Sequence, residues 1–276
     1  MQVKNIYLEE KNMKAGDIQA YLRSLNGGWV DLNNTTDTFK AGDPDTEVTG
    51  IAVSWMSTTW ALQKALKLGC NMFITHEPTY FSNFENDQAW LCLSQVKEKR
   101  TWIEKSGMVI LRCHDLWDQY PKEGIPDSWA NFLGLGESIG GQGYFRIYDV
   151  SGRTAGEVAR QIASKTKAFG QEAVELIGSA DKPVTRLVLG TGAITPYLRF
   201  IDEYKADIAL CTNDGLVYWR DAAFAAEMGF AIIVTDHKVS EEAGVASLAN
   251  HIIKKFPSIP IHHIPQQCIF KLVTAG

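Results

Sequence analysis

Residues 50–78 read "GIAVSWMSTTWALQKALKLGCNMFITHEP". The first six, "GIAVSW" (50–55), form a short apolar run with β-branched residues, the signature of a buried strand. "STTWALQKALKLG" (57–69) has helical spacing, with Ser57 placed to cap its start and Gly69 its end. "NMFIT" (71–75) then reads as the next strand. Strand, helix and strand in this order make one βαβ unit, so an α/β fold with largely parallel strands is expected. The second strand stops at His76, Glu77 and Pro78. Pro78 keeps the residue before it out of a helix, which leaves Glu77 extended or turning.

The same grammar continues along the chain. A long helix is expected from about Asp87 to Lys105, a strand at "MVILRC" (108–113), and a helix opened by Pro126 and Asp127. A further strand, "GYFRIYDV" (143–150), precedes a helix beginning near Thr154. Strands at "TRLVLG" (185–190), "DIALC" (207–211) and "FAIIVT" (230–235) alternate with helices over "PYLRFIDEYK" (196–205) and "VYWRDAAFAAEMG". The last helix is expected from about Ser240 to Lys255, with "CIFKLV" (268–273) as a closing strand. The stretch 31–49 reads as loop with short strand pieces, either a flap or an ordinary surface loop. Two α/β lobes, about 1–139 and 140–276, are expected to pack as one unit.

Composition narrows the function classes. The 276 residues are 45% hydrophobic and 21% charged, a globular mix, with formal net charge -5. No basic run exceeds "KEKR" (97–100), so general nucleic-acid binding is not expected. The acidic balance suits capture of cations. No apolar run reaches the roughly 20 residues of a membrane span, and "MQVKNIYLEEKNMK" lacks a secretory apolar core, so a cytoplasmic location is expected. The five cysteines, Cys70, Cys92, Cys113, Cys211 and Cys268, include no CxxC pair. Neither a disulfide framework nor a thiolate zinc site is expected, only reduced and mostly buried thiols.

Open α/β sheets bind their ligands at the carboxyl ends of strands. Three strands here run into ligand-type residues: "MFIT" into His76 and Glu77, "VILRC" into His114, Asp115 and Asp118, and "AIIVT" into Asp236, His237 and Glu241. Three of only six histidines occupy these equivalent positions, which favours a shared site over three separate structural histidines. His237 and Glu241 stand four apart at a helix opening and share a face; His114 and Asp118 have the same separation. Imidazoles with carboxylates and no thiolate suit first-row dications such as Zn, Mn, Fe, Ni or Co better than Ca. A pair of such ions could clamp a substrate oxygen and acidify a bridging water.

Other segments keep two readings. "LGTGAITP" (189–196) is a glycine turn, serving either a tight bend or an anion cradle. Asp214 either faces the site or forms its own turn with Gly215. Trp55 and Trp117 either stack on a planar ligand or pack in the core. Cys113, beside His114, reads as a buried thiol.

"FITHEP" (73–78), "HDLWD" (114–118) and "TDHKVSEEAGVASLA" (235–249) resemble, in order and spacing, the motifs of the Nif-three-like dinuclear metal centre family, the GTP cyclohydrolase type-two homologues. The resemblance covers nearly the whole chain, including "GDPDTEVTGIAV" (42–53), "GIPDSWANFLGL" (124–135) and "ADIALCTND" (206–214). It implies two α/β lobes, a toroidal homohexamer, and two divalent ions per subunit held between the lobes. By the same resemblance His76, Glu77, Asp118, His237 and Glu241 would be the metal ligands, Glu241 bridging both ions. His114 would be a nearby acid/base or an extra ligand. The implied activity is that of a metal-dependent hydrolase on a small, nucleotide-like or pterin-like molecule; a non-catalytic metal-binding scaffold or metallochaperone is the alternative. Two departures stand out. Glu77 occupies the place of a histidine, and Asp236 and Lys238 replace a glycine and an aromatic around His237, with Lys238 expected to face water.

Overall fold

The computed structural model describes residues 13–84, 86–193 and 197–273. It contains the strands β1 (Phe39–Ala41), β2 (Ile51–Ser54), β3 (Met72–Thr75), β4 (Val109–Arg112), β5 (Arg146–Thr154), β6 (Glu175–Ile177), β7 (Pro183–Leu189), β8 (Ile208–Thr212), β9 (Ala231–Thr235) and β10 (Ile261–His263). The strands form two sheets in a mixed α/β architecture. The chain divides into two compact units, one made by the chain up to Leu116 with Ile252–Ile264, the other by Trp117–His251 with the chain from Pro265 onward.

The sheet of the first unit has the order β1-β4-β3-β2-β10. Its four strands β4, β3, β2 and β10 are parallel, and β1 adds an antiparallel edge. Every residue of β2, β3 and β4 is buried, as a sheet covered on both faces requires. Ala52, Phe73 and Ile110 lie in register on one face. They pack with Ala61, Leu62 and Ala65 of the helix Thr59–Lys67 and Ile103 of the helix Ser94–Ser106. Burying each large apolar side chain contributes roughly 1.5–3 kcal/mol, so this layer fixes the level at which β3 and β4 end.

In the second unit the order is β5-β7-β8-β9-β6, with β7, β8 and β9 parallel between antiparallel edges. Alternation along the three central strands divides the core in two. Leu187, Leu189, Ile208, Leu210, Ala231 and Ile233 face one cluster, while Val188, Ala209, Cys211, Ile232 and Val234 face the other. Thr154 opens the helix Ala155–Thr166 with a capping box: its hydroxyl accepts from Glu157 N–H, and Glu157 accepts from Thr154 N–H.

Some expected details are corrected. Thr58, not Ser57, caps the second helix, because the Thr58 hydroxyl accepts from Ala61 N–H while Ser57 is turned to Thr79. The helix expected over 87–105 is two, Gln88–Leu91 and Ser94–Ser106, separated at Cys92 and Leu93. The helix over 217–229 begins as a π turn, Tyr218–Ala222, before Ala223–Met228. The last helix starts at His237, three residues early, since the Asp236 carboxylate accepts from Val239 N–H at its first turn. "CIFKLV" is not a strand: the closing strand is β10, and Ile269, Phe270 and Leu272 stand exposed. β6 occupies the sheet edge beside β9.

Candidate metal centre

β3 and β4 lie side by side and end level, Thr75 opposite Arg112. The chain leaving β3 therefore delivers His76 and Glu77 next to the chain leaving β4, which carries His114. The His76 and His114 rings stack with centroids 4.6 Å apart. His76 Nδ1 lies 3.2 Å from the Cys113 carbonyl oxygen, and His114 Nδ1 lies 2.9 Å from Asp115 Oδ1. Both pairings place a donated proton on Nδ1 and leave Nε2 as the ligand-type nitrogen. Glu77 is buried and points one oxygen at each side: Oε1 is 3.8 Å from His114 Nε2, and Oε2 is 3.4 Å from Arg112 Nη2. Arg112 also donates from Nε to the His76 carbonyl oxygen at 2.9 Å. A buried guanidinium thus balances the charge that Glu77 adds.

A carboxylate scaffold holds His114 in place. Asp37, buried, accepts from the backbone N–H groups of His114, Asp115 and Leu116 at 2.6, 3.0 and 2.8 Å. Burial raises the Asp37 carboxyl pKa against the pull of those donors. Asp115 accepts from the Thr35 hydroxyl and from Thr36 N–H. Burial would raise its pKa, but the hydrogen bonds from His114, Thr36 and Thr35 outweigh that and hold the carboxyl well below the usual range. Asp118 is buried on the short helix Asp115–Gln119, four residues beyond His114.

The second unit repeats the device. The chain leaving β9 begins the helix His237–Lys255, and the chain leaving β8 carries Asn213 and Asp214. Asn213 Oδ1 accepts from His237 N–H at 2.9 Å, and Asp214 Oδ2 lies 2.8 Å from His237 Nδ1. The His237 ring beside it holds the Asp214 carboxyl below its ordinary pKa. His237 Nε2 faces Glu241 Oε1 at 3.1 Å from one helical turn away. Gly192, at φ +60°, closes this pair: a β-carbon there would stand 2.7 Å from Glu241 Oε1 and 3.3 Å from His237 Nε2. Thr212 donates its hydroxyl to the Gly192 carbonyl oxygen and fixes the turn.

Among the described residues, His76, Glu77, His114, Asp118 and Glu241 are candidate metal-ligating side chains, and within the second unit His237 faces Glu241. Asp214 resolves toward the site, as the orienting partner of His237. Asp37 and Gly192 were not marked as site residues by the sequence. Asp37 lies in a polar loop with no periodicity, whereas the turn at Gly192 reads as a tight bend or an anion cradle, and its φ of +60° beside His237 and Glu241 is what the structure adds. Lys238 is a correction: it is buried, 1% exposed, with no hydrogen-bond partner at Nζ. Trp117 is fully buried, stacks on Tyr120 and donates to the Gly244 carbonyl oxygen. Trp55 and Cys113 are likewise buried, and none of the five cysteines forms a disulfide.

The fold is shared with solved structures. Staphylococcus aureus hypothetical protein SA1388 is 18% identical with TM-score 0.76, over 95% of this chain and 100% of that one. A Bacillus cereus protein related to NIF3 is 15% identical with TM-score 0.76, over 96% of this chain and 100% of that one. Reduced HcgD from Methanocaldococcus jannaschii is 17% identical with TM-score 0.70, over 92% and 98%. No curated protein matches the chain significantly. A family model described as Duf34/NIF3 (NGG1p interacting factor 3) matches residues 30–268, from the loop before Asp37 to beyond β10, and the chain belongs to that family.

Proposed function

We propose that this protein holds two divalent first-row metal ions and uses them as a hydrolase of a small molecule. His76, Glu77, Asp118, His237 and Glu241 are the ligands in this reading. The observation that carries it is the orientation of the histidines. His76, His114 and His237 each have Nδ1 engaged by a carbonyl or carboxylate oxygen, the second-layer hydrogen bond that metal-binding imidazoles use to fix tautomer and direction. The donor set, imidazole nitrogen with carboxylate oxygen, fits Zn, Mn, Fe, Ni or Co.

When bound, such ions polarise a substrate oxygen and acidify water near neutral pH. The chain's own residues supply the rest. Asp214 and Asn213 orient His237, and Asp37 and Asp115 orient His114. His114, the more solvent-accessible of the first unit's two strand-end imidazoles at 20% side-chain exposure, exchanges a proton with substrate at Nε2. Arg112 pairs with Glu77 Oε2 and so leaves Oε1 directed toward His114. On the family resemblance we further propose a homohexamer in the cytoplasm. No helix among the described residues is long and apolar enough to cross a membrane.

Glu241→Ala tests this reading on a panel of esters, phosphodiesters, nucleotides and pterins, with light scattering in parallel. Hydrolysis by the parent protein that falls at least 100-fold in the variant while the oligomer persists supports it. Loss of assembly without any hydrolysis to lose would assign the ions a structural role.

A further inference from the structure

The loop that follows His76 and Glu77 is held by a strained backbone and several side-chain hydrogen bonds. Phe81 holds φ +64°, a left-handed conformation that a bulky residue adopts only under constraint. Three anchors supply that constraint. Lys99 donates from Nζ to the Thr79 carbonyl oxygen at 2.6 Å, Ser57 donates to Thr79 Oγ1 at 3.0 Å, and Arg112 Nη1 donates to Asn83 Oδ1 at 2.8 Å.

Behind this loop lies a pocket of about 120 Å3, walled by Thr79, Tyr80 and Asn83 and by the three cations Lys40, Arg100 and Arg112. No carboxylate lines it among the described residues. The cations are held in place: Lys40 Nζ bonds Thr38 Oγ1 at 2.7 Å, the Arg100 guanidinium lies 5.3 Å over the Tyr80 ring, and Arg112 is 2% exposed. Arg112 spends three of its five N–H groups on His76, Asn83 and Glu77.

Size limits the occupant. Drug-sized ligands need roughly 300 Å3 or more, so this pocket takes one group of a molecule, not the whole. Phe84 at the rim is 77% exposed and offers a flat apolar face to whatever that group is attached to. We propose that Lys40, Arg100 and Arg112 form an oxyanion subsite for the phosphate or carboxylate of a small molecule carrying a planar apolar body. The subsite adjoins the candidate metal residues through Arg112, which also bonds Glu77, but none of the three cations is itself a candidate ligand.

Calorimetry on the chelator-treated full-length chain, with phenyl phosphate, benzoate, inorganic phosphate and the neutral benzyl alcohol as probes, tests it. Expected is binding of phenyl phosphate, benzoate or both, at least tenfold tighter than benzyl alcohol, and falling at least tenfold in Lys40→Ala/Arg100→Ala at unchanged thermal midpoint. The stronger of the two aromatic anions names the natural group. Equal binding of benzyl alcohol, no binding of any anion, or full binding by the double variant would overturn it. Binding that requires added metal and survives the double variant would also overturn it, by assigning the anion to the ions. Anion binding in a protein that takes up no metal would leave the subsite standing and remove the hydrolase reading.

Discussion

At Gly192 a hydrogen atom occupies the space where any other residue would press a carbon on Glu241 and His237. The position also lies at positive φ, which costs a residue with a β-carbon about 1–2 kcal/mol. Gly192→Ala is therefore expected to lower the thermal midpoint by a few degrees and to weaken metal binding at least tenfold, read by competition with a chromogenic chelator. Unchanged metal affinity would show that His237 Nε2 and Glu241 Oε1 do not face a ligand. At this scale the sequence displayed the donors and hid their supports. His76, His114 and His237 were legible because each follows an apolar strand directly. Asp37 was not, because its partner N–H groups are 77 to 79 residues away and nothing in the local pattern marks it.

The strand ends and the helices after them set where those donors stand, and here periodicity was a good guide. The run from Ile51 to Thr75 folds as the βαβ unit its pattern describes, because the same alternation that identifies the strands buries them. It failed at 268–273, where alternate apolar residues are necessary for a strand but a free sheet edge is also required. It failed again at Lys238, since the helix begins at His237 and its first turn is buried. The helix Ser94–Ser106 contributes a testable element. Burial lowers the Lys99 ammonium from 10.5 to about 8. Between pH 8 and 10.5 the unfolded chain binds a proton that the folded chain has lost, so this group makes stability rise with pH over that window. A shift of 2.5 pH units corresponds to about 3 kcal/mol. Urea unfolding of the parent and of Lys99→Met at pH 7 and pH 10.5 should show the parent gaining on the variant by about that amount. A constant gap would mean that Lys99 stays hydrated.

For the molecule as a whole, the α/β class and the family were both within reach of the sequence, because its strand-end motifs stand in a fixed order along the chain, although identity to the solved structures compared above is only 15–18%. The edge strand β6 is three residues, too short for alternation to reveal. The central claim is that donors from His76 to Glu241, widely separated along the chain, serve one pair of dications. Elemental analysis of protein purified without chelator measures this most directly. The account predicts about two equivalents of first-row metal per chain, falling to one or none in His76→Ala and in Glu241→Ala. A parent protein carrying no stoichiometric metal, and taking none up on titration with Zn, Mn, Fe, Ni or Co, would contradict it.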